Sequence, residues 1–127
     1  MNTVNDCIFC HLPEERIYLE NEKWIAIKDG YPVTEGHTLL IPKRHSANYF
    51  GLAYVEYFSL KSFMVFVIKN LKDEYPEVND WNIGMNCGEY AGQTVFHTHI
   101  HLIPRREGDV ENPKGGVRHL IPGKGDY

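Results

Sequence analysis

Three histidines alternate with other residues in Phe96-His97-Thr98-His99-Ile100-His101-Leu102-Ile103-Pro104. On an extended strand alternate side chains share a face, so His97, His99 and His101 are expected in a row at intervals of roughly 6.6 Å, with Thr98, Ile100 and Leu102 turned into a core. Imidazole titrates near neutrality, and such a row can supply a nucleophile, a proton-bearing partner and a metal ligand or second donor. A histidine nucleophile needs one bare ring nitrogen. Its other nitrogen must then donate to a fixed acceptor such as a backbone carbonyl. Titratable groups cluster mainly at functional sites, so the row points to chemistry rather than to packing.

The stretch just upstream, Asn86-Cys87-Gly88-Glu89-Tyr90-Ala91-Gly92-Gln93-Thr94, suits an anion. Gly88 and Gly92 let backbone amides approach a phosphate closely, and Gln93 and Thr94 add donors immediately before the histidines. Charge developing on phosphoryl oxygens must be met by preorganised donors, for which Thr94, Gln93, the loop amides and His101 are the nearest candidates.

A second constellation is Cys7-x-x-Cys10, whose two-residue gap lets both thiolates grip one metal. Three cysteines form no disulfide framework in a reducing compartment, so metal or redox chemistry is the expectation for the pair. No second cysteine pair or adjacent His-x-His completes a ligand set, and the remaining ligands must come from distant sequence. His11, next to Cys10, is a rival ligand, and Cys87 is read as unligated.

These residues need a scaffold. Ile17-Tyr18-Leu19 and Trp24-Ile25-Ala26-Ile27, separated by a polar stretch, have the pattern of a hairpin, and a third strand follows at Thr38–Ile41, ended by Pro42. From Ala53 to Asp73 there is no Gly or Pro, and Leu60, Phe63, Met64, Val67 and Leu71 recur at helical steps. Two further strands are expected at Trp81–Asn86 and Val95–Ile103. The order predicts an α+β fold, a mostly antiparallel five-stranded sheet with one long helix. Residues 105–127, with five glycines and two prolines, form an extended tail whose Val117, Leu120 and Ile121 need a surface to cover.

At 127 residues and 43% hydrophobic content the chain holds one domain, 1–127. A net charge of −4 argues against nucleic acid as a partner, since backbone binding needs a basic field. A small anionic ligand stays compatible with that charge. No run approaches the ~18 apolar residues of a membrane span, and Asn2, Asn5 and Asp6 do not fit a signal peptide, so a cytoplasmic location without a membrane partner is expected.

Taken together, His97-x-His99-x-His101-Leu102-Ile103, Asp29–His45 (DGYPVTEGHTLLIPKRH), Asn86–Thr94 (NCGEYAGQT) and Gly108-Asp109-Val110 resemble the histidine-triad (HIT) family, in the manner of bacterial dinucleoside polyphosphate hydrolases. The resemblance implies a homodimeric nucleotidyl hydrolase or transferase acting at an α-phosphate. It makes His99 the nucleophile of a covalent nucleotidyl-histidine intermediate, and gives His101 phosphate contact and proton movement. It places Thr94 at the leaving oxygen, Asn86, Gly92 and Gln93 in the phosphate loop, Asp29 on the ribose, and Ile8, Phe9, His37 and Leu39 around the base. In zinc-bearing members the partners of the two cysteines correspond here to His45 and His97, a Cys2His2 set that would be structural. His101 in place of Gln resembles the hydrolytic branches. The implied substrate is a dinucleoside polyphosphate or a nucleoside phosphoramidate. Three alternatives stay open: a nucleotide-binding regulatory module with weak hydrolysis, a phosphorylase using phosphate as acceptor, and a metal-dependent hydrolase with the histidines as ligands. The tail and the short Cys10–Ile17 segment depart from common members, and the tail is expected against a partner's active site.

Overall fold

The structure, a computed structural model, describes residues 4–127. Five strands, β1 (Ile17–Glu20), β2 (Trp24–Lys28), β3 (Thr38–Pro42), β4 (Asp80–Gly84) and β5 (Ile100–Arg105), form one sheet in the order β1-β2-β3-β5-β4. Every neighbouring pair is antiparallel, and the single long helix α1 spans Tyr54–Glu74. No helix among the described residues is long and apolar enough to cross a membrane.

Period-3.6 spacing makes α1 one-sided. Leu60, Phe63, Val67 and Leu71 pack on Trp24, Ala26, Leu40, Ile100 and Leu102 of the sheet. The opposite sheet face carries a second cluster of Ile27, Leu39 and Ile41, covered by Phe9 and Leu12 of the N-terminal segment. The central strand β3 is therefore buried along its whole length, which explains why Thr38-Leu39-Leu40-Ile41-Pro42 shows no polar alternation.

The first turn of α1 is tied to the segment after β3. The buried Glu56 carboxylate accepts from the Ala53 N–H at 2.7 Å and from Arg44 Nη2 at 2.8 Å, while the Glu56 carbonyl accepts from Trp24 Nε1 at 2.9 Å. Burial alone would raise the Glu56 carboxyl, but the Arg44 and Ala53 donors outweigh it and hold it below its ordinary range. A depressed carboxylate contributes stability that is fully present above its unfolded value of about 4.3 and is lost as pH falls through the lower folded value. Arg44→Ala is therefore expected to cost about 2–3 kcal/mol at pH 7, because it strips a buried carboxylate of its guanidinium. Urea melts of both proteins at pH 7 and in acid check this: the gap should narrow as Glu56 protonates.

One expectation needs correction. The strand expected over Val95–Ile103 pairs regularly only from Ile100, so His97 and His99 precede β5 and His101 lies within it. Instead of joining the ladder, Thr98 gives its N–H and its hydroxyl to the Ser46 carbonyl, at 2.7 and 3.0 Å. The tail passes beside its own sheet and leaves Val117, Leu120 and Ile121 exposed. Val110, Val117 and Leu120 border a groove of about 530 Å³ against Asn82 and Ile103.

Candidate functional site

The N-terminal segment and the approach to β5 meet below the end of β3. A turn closed by the Cys10 N–H on the Cys7 carbonyl brings both thiols to one side. His97, fully buried, donates from Nε2 to the Pro42 carbonyl at 2.8 Å, so its proton sits there and the bare Nδ1 faces Cys7 Sγ at 3.3 Å and Cys10 Sγ at 3.5 Å. His45 Nδ1 lies 3.2 Å from Cys10 Sγ, and all four candidate ligand atoms fall within 4.8 Å of one another.

Zinc bonds of about 2.3 Å to sulfur and about 2.0 Å to nitrogen put tetrahedral donors roughly 3.5 Å apart, so the cluster has a suitable size. Burial, then the neighbouring Cys7 thiol, pushes the Cys10 thiol up to about 11. A cation between the two cysteines would favour the thiolate at Cys10, and the donor set of two sulfurs and two ring nitrogens fits zinc. His11 does not belong to the cluster: its exposed ring bonds the Val4 carbonyl at 2.9 Å.

The side chain of His99 is half-buried beside Phe9, with ring centroids 5.1 Å apart at 70°. Its Nδ1 lies 2.8 Å from the His97 carbonyl, to which it donates. The one ring proton of the neutral imidazole is thereby placed on Nδ1, and Nε2 is left bare. His101 stands 5.5 Å away, centroid to centroid. Burial, followed by His37 and His99, pushes the His101 ring toward its neutral form, against the pull of Asp29. Burial does the same to His97, and the nearby His45 and His99 add to it.

The glycine loop is built from within. Gly88 and Gly92 adopt φ values of 100° and 93°, a conformation that favours glycine. Gln93, expected as a phosphate donor, is buried. Its amide donates to the Ala47 and Val95 carbonyls at 2.6 and 3.1 Å and accepts from the Gly88 N–H at 2.8 Å. Its side chain thus shapes the loop, whereas Thr94 is exposed and the half-buried Asn86 lies beside Gly92.

Of the residues expected around the base, Phe9 and Leu39 do share a cluster on the histidine-bearing face, and Ile8 is largely exposed beside them. His37 is elsewhere. Its Nε2 lies 2.9 Å from His101 Nδ1 and 3.4 Å from Asp29 Oδ2, while the other carboxylate oxygen of Asp29 accepts from the Tyr31 N–H at 2.8 Å. Spacing alone could not find this meeting, because it depends on the register that sets Leu39 opposite His101. Arg44 and Glu56, which anchor the segment entering His45, also went unanticipated, although an Arg one residue before a candidate ligand was a visible signal.

Comparison with known proteins agrees with this geometry. The HIT domain model matches residues 12–108. An uncharacterized HIT-like protein of Mycoplasma genitalium is 36% identical over 110 residues, covering 84% of this chain and 77% of its own. The adenylylsulfatase HINT3 of Arabidopsis thaliana is 32% identical over 120 residues, covering 83% of this chain and 55% of its own. The crystal structure of a Zn-bound histidine triad family protein from Mycobacterium smegmatis superposes with a TM-score of 0.74 at 33% identity, covering 87% of this chain and 82% of that one. With its domain model, its relatives and its fold all in accord, the chain belongs to the histidine-triad (HIT) family.

Proposed function

We propose that the protein is a nucleotidyl hydrolase that cleaves at an α-phosphate through a covalent nucleotidyl-histidine intermediate. The observation that carries the reading is the 2.8 Å bond from His99 Nδ1 to the His97 carbonyl, which leaves Nε2 bare for attack. In the first step Nε2 bonds to the α-phosphorus, the bond to the leaving oxygen breaks, and the departing group takes the electron pair. Water then displaces the nucleotide from the imidazole. Exposed Thr94, the amides around Gly92 and His101 are the donors for the phosphoryl and leaving oxygens, with Asn86 and Gln93 supporting the loop. Asp29 takes the ribose hydroxyls, and Ile8, Phe9 and Leu39 border the base.

Dinucleoside polyphosphates and nucleoside phosphoramidates are the proposed substrates. Because one relative is named an adenylylsulfatase, adenylyl sulfate belongs in the same test. Diadenosine tetraphosphate, diadenosine triphosphate, an adenosine phosphoramidate and adenylyl sulfate should be assayed with wild type and His99→Ala. Turnover of none of the four by wild type refutes the proposal. Cys7, Cys10, His45 and His97 are proposed to hold one zinc ion, whose role is to fix the N-terminal turn to the start of the histidine row.

A symmetric homodimer is also proposed. Tyr54, Val55, Phe58, Val65 and Phe66 leave an apolar outer stripe on α1, and β4 ends the sheet as an unpaired edge among the described residues. An exposed stripe and an open edge call for cover, and a two-fold partner covers both at once. Light scattering at micromolar concentration should return about twice the chain mass, with Phe58→Glu shifting it toward the monomer. A monomeric wild type ends the dimer reading.

A further inference from the structure

The turn that carries the two N-terminal cysteines also carries the ring that packs on the histidine row. Cys7-Ile8-Phe9-Cys10 closes on the hydrogen bond from the Cys10 N–H to the Cys7 carbonyl at 3.1 Å. Phe9, between the cysteines, meets the His97 ring at 6.0 Å and the His99 ring at 5.1 Å, centroid to centroid. A four-residue turn of this kind holds its end Cα atoms within about 7 Å, which is the reach of a disulfide. Both sulfurs face one atom, His97 Nδ1, at 3.3 and 3.5 Å, and they lie within 4.8 Å of each other. Both cysteines are free thiols. Cys7 is fully buried and Cys10 half-buried, so a small oxidant arriving from solvent meets Cys10 first. Cys87, the third cysteine, sits in the glycine loop outside this cluster.

We propose that Cys7 and Cys10 are a redox pair, a dithiol that a peroxide oxidises to a disulfide, and that this oxidation releases the zinc. It rests on the zinc reading above and adds a second state to the same residues. In the first step the Cys10 sulfur attacks one oxygen of hydrogen peroxide, the O–O bond breaks, hydroxide leaves, and Cys10 becomes a sulfenic acid. The Cys7 sulfur then attacks the Cys10 sulfur. An S–S bond forms, the S–O bond breaks, and the second oxygen departs as hydroxide. The two thiolates lose two electrons to the peroxide, and two protons from solvent turn both hydroxides into water. A disulfide offers a cation no charge, and His45 and His97 alone fill only two of the four tetrahedral positions, so the ion leaves. Closing so short a loop restrains the unfolded chain little. The ties from the turn to His45, after β3, and to His97, before β5, are meanwhile lost, and Phe9 is loosened from the histidine row.

The test reads sulfur and metal directly, without an activity assay. Zinc content is measured by atomic emission before any oxidant is added. Stoichiometric hydrogen peroxide should then release zinc to a chromogenic chelator in step with disulfide formation, and a thiol reductant with added zinc should restore full occupancy. Trypsin cuts after Lys and Arg, so Cys7 and Cys10 fall together on peptide 1–16 and Cys87 on peptide 73–105. After alkylation, peptide 1–16 of the oxidised protein should be lighter than its reduced form by two hydrogens and carry no alkyl group, whereas peptide 73–105 should be alkylated. Tm of the oxidised protein should fall on the order of 10 °C, as for a chain stripped of its metal. Cys87→Ser should release zinc at the wild-type rate, because Cys87 takes no part. Zinc retained in the presence of peroxide, a sulfinic acid in place of the disulfide, a bridge from peptide 1–16 to peptide 73–105, or release that the reductant does not reverse each overturns the proposal. Protein isolated without zinc fails the zinc reading at the first measurement, and its peptide 1–16 still decides the redox pair: the disulfide sustains it and unchanged thiols end it.

Discussion

Replacing His99 by alanine should lower turnover of the preferred nucleotide by at least about a thousandfold while AMP binds within a few-fold of wild type. The two halves of that expectation have different physical sources. Attack needs the bare Nε2 that the His97 carbonyl orients at 2.8 Å, and a methyl group offers nothing in its place. Binding is proposed to rest on other residues, namely the Gly88–Gly92 loop, Asp29 and the apolar cluster of Phe9, Leu39 and Ile41, of which Phe9 packs edge-on against the His99 ring. Rapid-quench assays of wild type and His99→Ala, with AMP titrations by calorimetry, separate the two. His99→Asn, which keeps a polar side chain but no ring nitrogen, should behave as alanine does. More than about a hundredth of the wild-type rate in either variant would mean that the nucleophile lies elsewhere. A labelled nucleotide trapped on wild type by acid-free denaturation and absent from the variant would complete the case.

The elements were legible in unequal measure, for physical reasons. The helix expected over 53–73 is found at Tyr54–Glu74, because a long Gly- and Pro-free segment with apolar residues at three- and four-residue steps has one stable arrangement against a sheet. The hairpin and β3 were equally plain. The beginning of β5 was not, since local pattern cannot foresee that His97 is drawn toward two cysteines about ninety positions away while Thr98 spends its donors on Ser46. Likewise the four-residue cluster of Cys7, Cys10, His45 and His97 was reached through family resemblance, the cysteine gap alone leaving two ligands unspecified. His37 and Gln93 mark the limit of motif reasoning. Both side chains turn inward, His37 to within 2.9 Å of His101 and Gln93 onto the glycine loop, and only the hydrogen-bond partners of the folded chain reveal it.

Removing the metal should damage stability far more than chemistry. Purified wild type is expected to hold one zinc per chain by atomic emission, and Cys10→Ser to hold little or none, because an alcohol is a poor ligand where a thiolate sat between His45 and His97. The turn from Cys7 to Cys10 would then be held against the sheet mainly by the apolar packing of Phe9 and Leu12, whose cluster with Ile27, Leu39 and Ile41 is small. A loss on the order of 3 kcal/mol is a conservative figure for a tetrahedral ion that ties three distant segments, and for a chain of this size it lowers Tm by on the order of 10 °C. Metal loss should be faster in acid than at pH 8. The Cys10 thiol, pushed up to about 11 by burial and then by Cys7, gives up its proton to bind and takes it back as the ion leaves. Catalysis per folded molecule should stay within about tenfold, because Cys7, Cys10, His45 and His97 would fill a tetrahedral zinc's four positions and leave none for substrate or water. His99 retains the His97 carbonyl through backbone geometry, and the His97 ring retains Pro42. Calorimetric melting and single-turnover rates of wild type, chelator-treated protein and Cys10→Ser provide the measurements. Wild type without zinc, or Cys10→Ser with a full complement, rules out the site; turnover abolished at a temperature where Cys10→Ser is still folded would instead make the metal part of the chemistry.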